Sequence, residues 1–310
     1  MERSTIILII VIVASILILG LIAYISFCLY ISNMMANLMV KPKHFKTKEE
    51  KLKELEEVQP DGINEYSRTP INFVMSDGYI IHGDYSLNNP KKFVICMHGH
   101  LGNREGSPKY SYAFYRLGYS LVFFDHRGHG ENGRTVVTMG YQESIDALEV
   151  IEQVKEKFGQ DIEIGLFGCS MGGATALMCA KDRQDLSFVV SDCGFAGLKY
   201  LVKGFIKLHK SPEFPILQMT EGFIKKKAGV TYKKASAEMA IKENKNVPIL
   251  LIHGDKDELV YPENANLIFN SAPCIKRLEW FKDATHCNSI IVDREKYYKV
   301  IEEFIKENVK

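Results

Sequence analysis

From Ser4 to Val40 the chain carries no charged side chain, and residues 6–31 are almost wholly apolar. At a helical rise of 1.5 Å per residue, such a run crosses a hydrocarbon core of about 30 Å. A secretory signal has a shorter apolar region, about 7 to 15 residues, ending in a small-residue cleavage site. No such site follows here, and Phe27-Cys28 does not suit a lipoprotein signal. The run has no polar face, which argues against a helix of a soluble core. The pattern predicts an uncleaved single-span anchor over residues 1–40. Glu2 and Arg3 precede it, whereas Lys41, Lys43, Lys46, Lys48, Lys51 and Lys53 follow it. The positive-inside bias then puts the remainder of the chain on the cytoplasmic side.

Beyond the anchor the pattern changes. Residues 46–58 are charged, with Leu52, Leu55 and Val58 at helical spacing. They predict a short helix in a charged linker, residues 41–67, broken at Pro60-Asp61-Gly62. Apolar runs at 71–75 and 79–85 flank the turn Ser76-Asp77-Gly78 and read as a hairpin. Further buried strands are predicted at 93–97, 120–124, 162–167, 186–190, 247–252 and 275–281. Helices are predicted at 103–117, 143–158, 174–180, 262–270 and 288–307. Strands alternating with helices specify an α/β domain, residues 68–310, with a mostly parallel, doubly wound sheet and an antiparallel edge. Ligands bind such sheets beyond the carboxyl ends of the strands. Residues 197–246 are too long for an ordinary crossover and rich in bulky apolar side chains. They predict a lid of two or three helices.

Composition removes several function classes. The net charge is +1, with no basic stripe and no zinc-finger spacing, so nucleic-acid binding is not expected. The seven cysteines contain no C-x-x-C pair and fall mostly in apolar segments, which predicts buried free thiols in a reducing compartment.

The chemistry centres on Gly168-Cys169-Ser170-Met171-Gly172, a G-x-S-x-G pattern between a predicted strand and a predicted helix, with a further glycine at Gly173. That context is what a nucleophile elbow requires. A serine hydroxyl needs a base, and the base needs a group to hold it. Three histidines follow Ser170. His286 sits after the last strand and can return to the sheet edge, His253 sits in a turn suited to packing, and His209 lies in the lid. The acid is expected between serine and histidine. Asp257 is the choice, Asp192 its competitor, and Asp255 shapes the turn. An oxyanion needs two preorganised donors. These are expected from the backbone N–H of Met171 and that of His100, with Leu101 as the neighbouring possibility. His98-Gly99-His100 lacks an evident third histidine or carboxylate, so no metal is expected. The loop Asp125-His126-Arg127-Gly128-His129-Gly130 is expected to brace the oxyanion loop through Asp125 and Arg127. Cys169 is expected to point away from the site as buried filler.

Taken together, these patterns and their order resemble the α/β-hydrolase superfamily over residues 68–308. Within it the chain resembles the lipase and serine-aminopeptidase-like group, which includes bacterial membrane-anchored hydrolases. The resemblance implies an eight-stranded sheet, a lid after the sixth strand, no cofactor, and hydrolysis of esters, thioesters or amides through an acyl-enzyme. Transferred to this sequence, it gives Ser170 as nucleophile, Asp257 as acid and His286 as base. The anchor and apolar lid favour a small-molecule acyl substrate and a carboxylesterase or lipase-like activity. A serine aminopeptidase or amidase would need an anionic group for a charged amine, such as Glu213 or Glu221. An acyltransferase shares the same residues, and a non-catalytic membrane scaffold would not require them.

Overall fold

A computed structural model describes residues 2–58, 61 and 67–309; Pro60 and Gly62 of the expected break lie outside the described residues. In chain order the first elements are α1 (Arg3–Val40), α2 (Lys48–Val58), β1 (Thr69–Val74), β2 (Ile80–Ser86), β3 (Lys92–Met97), α3 (Pro108–Arg116), β4 (Ser120–Phe124) and α4 (Tyr141–Phe158). Next come β5 (Glu163–Cys169), α5 (Met171–Asp182), β6 (Phe188–Asp192), α6 (Leu198–Leu208), α7 (Glu213–Ala228) and α8 (Ala237–Ile241). The chain closes with β7 (Ile249–Gly254), α9 (Glu263–Ser271), β8 (Lys276–Phe281), α10 (Ser289–Val292) and α11 (Arg294–Asn308).

Among the described residues the sheet has eight strands in the order β1-β2-β4-β3-β5-β6-β7-β8. β1 pairs antiparallel with β2, and β2 with β4. All later pairings are parallel. The expected architecture therefore forms, with the hairpin at one edge. β3 to β7 are apolar on both faces because helices cover both faces. One core holds Ile95, Leu166, Val189 and Leu251, and the other holds Val94, Phe167, Val190 and Ile252. These sets alternate along each strand, as the two-residue pleat requires.

Two predicted helices are interrupted. The 103–117 segment begins as a single 3-10 turn, Arg104–Gly106, because Pro108 cannot continue an incoming helix and instead opens α3. The 288–307 segment divides at Asp293, whose carboxylate accepts the Lys296 N–H and caps a new helix, α11.

The N-terminal segments depart furthest from expectation. α1 is long and apolar enough to cross a membrane, and its N-terminal part is exposed throughout. Its last third is instead part of the folded domain. Cys28, Ser32, Met35, Ala36, Met39 and Val40 are buried, and the Ser32 hydroxyl donates to the Ile216 carbonyl of α7 at 3.2 Å. A helix leaves its last four carbonyls without internal partners. Here the imidazole of His100 donates to the Leu38 carbonyl at 3.2 Å, and the Val137 N–H donates to the Val40 carbonyl at 3.0 Å. In the linker the predicted short helix forms as α2, and residues 41–58 also pack against the domain. The Lys46 N–H donates to the Leu101 carbonyl at 2.8 Å, Asn103 donates to the Lys46 and Thr47 carbonyls at 3.0 Å, and Leu55 is buried.

The sheet depends on large rings packed without gaps. Phe188 is fully buried and contacts Phe114 and Tyr119 at centroid distances of 6.0 and 5.6 Å. Phe188→Ala removes that ring and leaves a cavity, a loss of about 3–5 kcal/mol. Thermal unfolding of the full chain in detergent is expected to shift down by roughly 6–20 °C. A shift under about 2 °C would count against this packing.

Candidate active site

The strand-to-helix turn explains the glycines around Ser170. β5 ends at Cys169 and α5 begins at Met171, so Ser170 alone makes the turn, at φ 55° and ψ −115°. A Cβ at Gly168 would lie 2.1 Å from the Gly172 carbonyl oxygen, and one at Gly172 would lie 2.2 Å from that of Met97. Neither position admits a side chain. The Ser170 N–H donates to the Asp192 carbonyl at 2.8 Å, and its own carbonyl accepts from Ala174 at 3.0 Å. The hydroxyl projects from the carboxyl edge of the sheet.

His286 follows β8 and Asp257 follows β7, and both return to Ser170. His286 Nδ1 lies 2.7 Å from Asp257 Oδ2, and its Nε2 lies 2.9 Å from Ser170 Oγ. A carboxylate accepts, so Nδ1 carries the proton and Nε2 presents its lone pair to the serine hydroxyl. Asp257 is buried, and its other oxygen accepts the N–H groups of Leu259 at 2.9 Å and Val260 at 2.8 Å. The competitor Asp192 does not reach the imidazole in this way; it accepts from the Tyr297 hydroxyl at 3.0 Å. His253 is buried and donates to the Val260 carbonyl at 2.8 Å, while His209 is exposed.

The serine opens into a cavity of about 480 Å³. Its walls include Leu201 and Phe205 of α6, Met139 and Leu259, and Leu38 and Met39 from the last turns of α1. The contribution of α1, and of Lys46, Lys51 and Glu54 beside it, escaped the sequence reading. The one available signal was Ser32-Asn33 and Asn37, which interrupt the aliphatic run at the end that docks.

A family model described as serine aminopeptidase, S33, matches residues 88–240. The chain is 29% identical over 238 residues to an uncharacterized protein, YqkD, of Bacillus subtilis, covering 74% of this chain and 76% of that one. It is 27% identical over 202 residues to an uncharacterized membrane protein, YNL320W, of Saccharomyces cerevisiae, covering 63% of each. Among solved structures, the esterase Pf2001 of Pyrococcus furiosus superposes with a TM-score of 0.63 at 22% identity, over 83% of this chain and 96% of that one. The chain has the α/β-hydrolase fold.

The loop after β3 lies where this hydrolase fold brings it against the elbow. A Cβ built on Gly99 would be 3.3 Å from the Ser170 Cβ. His98 Nε2 accepts the His126 N–H at 2.9 Å, so His98 Nδ1 carries the proton and donates to the Gly99 carbonyl at 2.7 Å. The Gly102 N–H donates to the same carbonyl at 3.1 Å. A trans peptide then turns the His100 N–H in the opposite direction. Leu101 adopts φ 63°, and its carbonyl is engaged by Lys46. The Met171 N–H heads the first turn of α5 and has no partner within the helix.

The expected bracing from residues 125–130 is half right. Asp125 accepts the Arg104 N–H at 2.7 Å and the Glu131 N–H at 3.0 Å, and pairs with the Arg104 guanidinium, which fixes the end of the loop. Arg127 points elsewhere, pairing with Asp146 and Asp77 at 2.8 Å. His126 takes the bracing role instead. His98, His100, His126 and His129 form a cluster of edge-to-face rings, with centroid distances from 4.6 to 6.3 Å. The third and fourth histidines were not evident from spacing, because separate strands deliver them. Burial pushes all four well below the ordinary imidazole value, His98 and His100 to about 4, so they are neutral. Their nitrogens do not converge. Among the described residues, the donor sets that do converge are Cys169–Cys193–Cys287 and Cys193–Asp257–His286.

That thiol cluster is the second feature the sequence concealed. Cys287 Sγ lies 3.0 Å from Cys169 Sγ and 3.3 Å from Cys193 Sγ. Hydrogen bonds from Cys169 and Cys193, against the opposing effect of burial, hold the Cys287 thiol well below its ordinary value. For His286, burial disfavours the charged form. The Cys287 charge and the Asp257 hydrogen bond outweigh it and hold the imidazole above its ordinary value.

Burial, then the charge of Cys287, pushes the Asp192 carboxyl from 3.8 up to about 7. The native state binds this proton more tightly than the unfolded chain does. The associated stability is complete below about pH 4 and drains away as pH rises to about 7. Asp192→Asn keeps an acceptor for Tyr297 and removes the titration. Its apparent Tm is expected to fall less than that of the parent between pH 4 and 7. Parallel curves for the two proteins would refute the assignment.

Proposed function

We propose that this protein is a membrane-anchored serine hydrolase that cleaves carboxylic esters of acyl-bearing small molecules, with thioesters and amides as chemically related substrates. The observation that carries the reading is the hydrogen-bond chain Ser170 Oγ–His286–Asp257, at 2.9 and 2.7 Å, opening into an apolar cavity. His286 Nε2 takes the hydroxyl proton as Ser170 Oγ bonds to the acyl carbon. Asp257 holds the imidazole in the required tautomer and stabilises the imidazolium. The N–H groups of Met171 and His100 receive the oxyanion. His286 then protonates the departing alcohol, and a water activated by the same base hydrolyses the acyl-enzyme.

The length and apolar surface of α1 support an anchor, and the lysines from Lys41 to Lys53 favour a cytoplasmic domain. Features for binding a charged amine are poorly placed. Glu213 pairs with Lys203 at 2.7 Å, Glu221 accepts the Tyr232 N–H at 2.8 Å, and both line a separate depression. Glu54, which does line the cavity, is paired with Lys46 and Lys51.

Assay of the full chain in detergent against p-nitrophenyl esters of graded acyl length tests the reading. Parent protein is expected to hydrolyse medium-chain esters and to label with a fluorophosphonate. Ser170→Ala is expected to lose both, with a rate decrease on the order of 10⁴-fold or more. Unchanged hydrolysis by Ser170→Ala would sink the serine mechanism. Absence of any adduct on folded parent protein would favour a non-catalytic scaffold.

The pH profile provides an independent check. Only neutral His286 can accept the serine proton, and its pKa is raised, so activity should rise with pH through an apparent pKa above about 6.5. Cys287→Ala removes the thiolate charge and should move this acid limb to lower pH. A limb that stays in place in Cys287→Ala contradicts the coupling.

A further inference from the structure

The three converging thiols have no part in the hydrolytic mechanism. Their placement is nevertheless intimate with it. Cys169 directly precedes Ser170, and Cys287 directly follows His286. Ser170 and Cys287 both hold left-handed backbones, at φ 55° and 60°, as does Cys193 at φ 46°. Cys169 and Cys287 line the same cavity as Ser170, so a small reagent that reaches the serine reaches them. Cys193 lies behind them and is 1% exposed. The Tyr110 hydroxyl also contacts the group, 3.4 Å from Cys169 Sγ and donating to the Cys287 carbonyl at 3.3 Å.

We propose that Cys169 and Cys287 form a reversible, peroxide-driven disulfide that switches the site off. The inactivation half of this proposal rests on the proposed role of Ser170 and His286. Cys287 is the attacking sulfur, because it lies within hydrogen-bond distance of two thiols and adjoins His286; its lowered pKa supports thiolate character. In the first step the thiolate bonds to one oxygen of hydrogen peroxide. The O–O bond breaks, and hydroxide departs, leaving a sulfenic acid on Cys287. In the second, Cys169 sulfur bonds to Cys287 sulfur. The S–O bond breaks, and the oxygen leaves as water with the thiol proton. The departed hydroxide takes up the proton that Cys287 released on ionising, so two thiols are oxidised and one peroxide is reduced to two waters.

A disulfide closes the sulfur separation from 3.0 Å to about 2.05 Å. That draws the segments bearing Ser170 and His286 together by about 1 Å, a displacement that costs roughly 10²-fold where a reaction needs aligned groups. The bond also eliminates the Cys287 charge, so the residual activity should titrate at lower pH. Inactivation is therefore read on the high-pH plateau.

The test treats the full chain in detergent with hydrogen peroxide, alkylates remaining thiols, and maps peptides without reduction. We expect a Cys169–Cys287 link, a plateau activity at least 10-fold lower, an acid limb moved to lower pH, and recovery of all three with dithiothreitol. Ser170→Ala should form the same link, which separates this proposal from the hydrolase reading. A link that forms and reverses in a protein without hydrolytic activity upholds the disulfide and overturns the hydrolase reading. Hydrolysis that persists with the link in place, inactivation without a link, or a Cys193–Cys287 link instead each overturns the proposal. Cys287→Ala should retain no dithiothreitol-reversible component of peroxide inactivation.

Discussion

Ser170 is held in a backbone conformation that costs on the order of 1–3 kcal/mol, and its surroundings are arranged to impose it. The chain reverses between β5 and α5 within one residue. That reversal is possible because Gly168, Gly172 and the Met97 carbonyl meet at distances that leave no room for a Cβ. The turn also sets the position of its neighbours. β3 must run beside β5 to bring the 98–101 loop against the serine, and β6 must follow to supply the Asp192 carbonyl to its N–H. A single tight turn thus dictates which strands stand next to which.

Much of this was legible in the sequence because it is local. Alternating apolar runs located the eight strands to within about two residues. The glycines around Ser170 mark a turn whose need for them is steric. His286 and Asp257 could be picked out because each follows a strand, and strand ends of a parallel sheet share one edge. The geometry also separates Asp257 from Asp192, which spacing alone left as competitors.

What was not legible depends on packing between segments far apart in the chain. His98, His126 and His129 meet because β3 and β4 are neighbours, and nothing in either strand announces the other. Cys169 ends β5, Cys193 follows β6 and Cys287 follows His286, and each reads singly as a buried apolar filler. The helix α1 misled in a different way. Its aliphatic run suits lipid and protein interior alike, and only Ser32, Asn33 and Asn37 hint that residues from Cys28 onward pack against the domain.

That last feature changes the mechanics of attachment. α1 is a single unbroken helix through Val40, and its terminal carbonyls are held by His100 and Val137. There is no swivel between the apolar span and the hydrolase fold. The docked stretch from residue 28 to 40 rises about 20 Å at 1.5 Å per residue, and with α1 anchored as proposed this fixed length would set the height of the cavity above a bilayer surface. Orientation is set as well, since rotation of the helix about its own axis must carry the whole domain with it. The protein would then sample its surroundings as a fixed turret with one aspect toward the lipid, not as a tethered globule that tumbles.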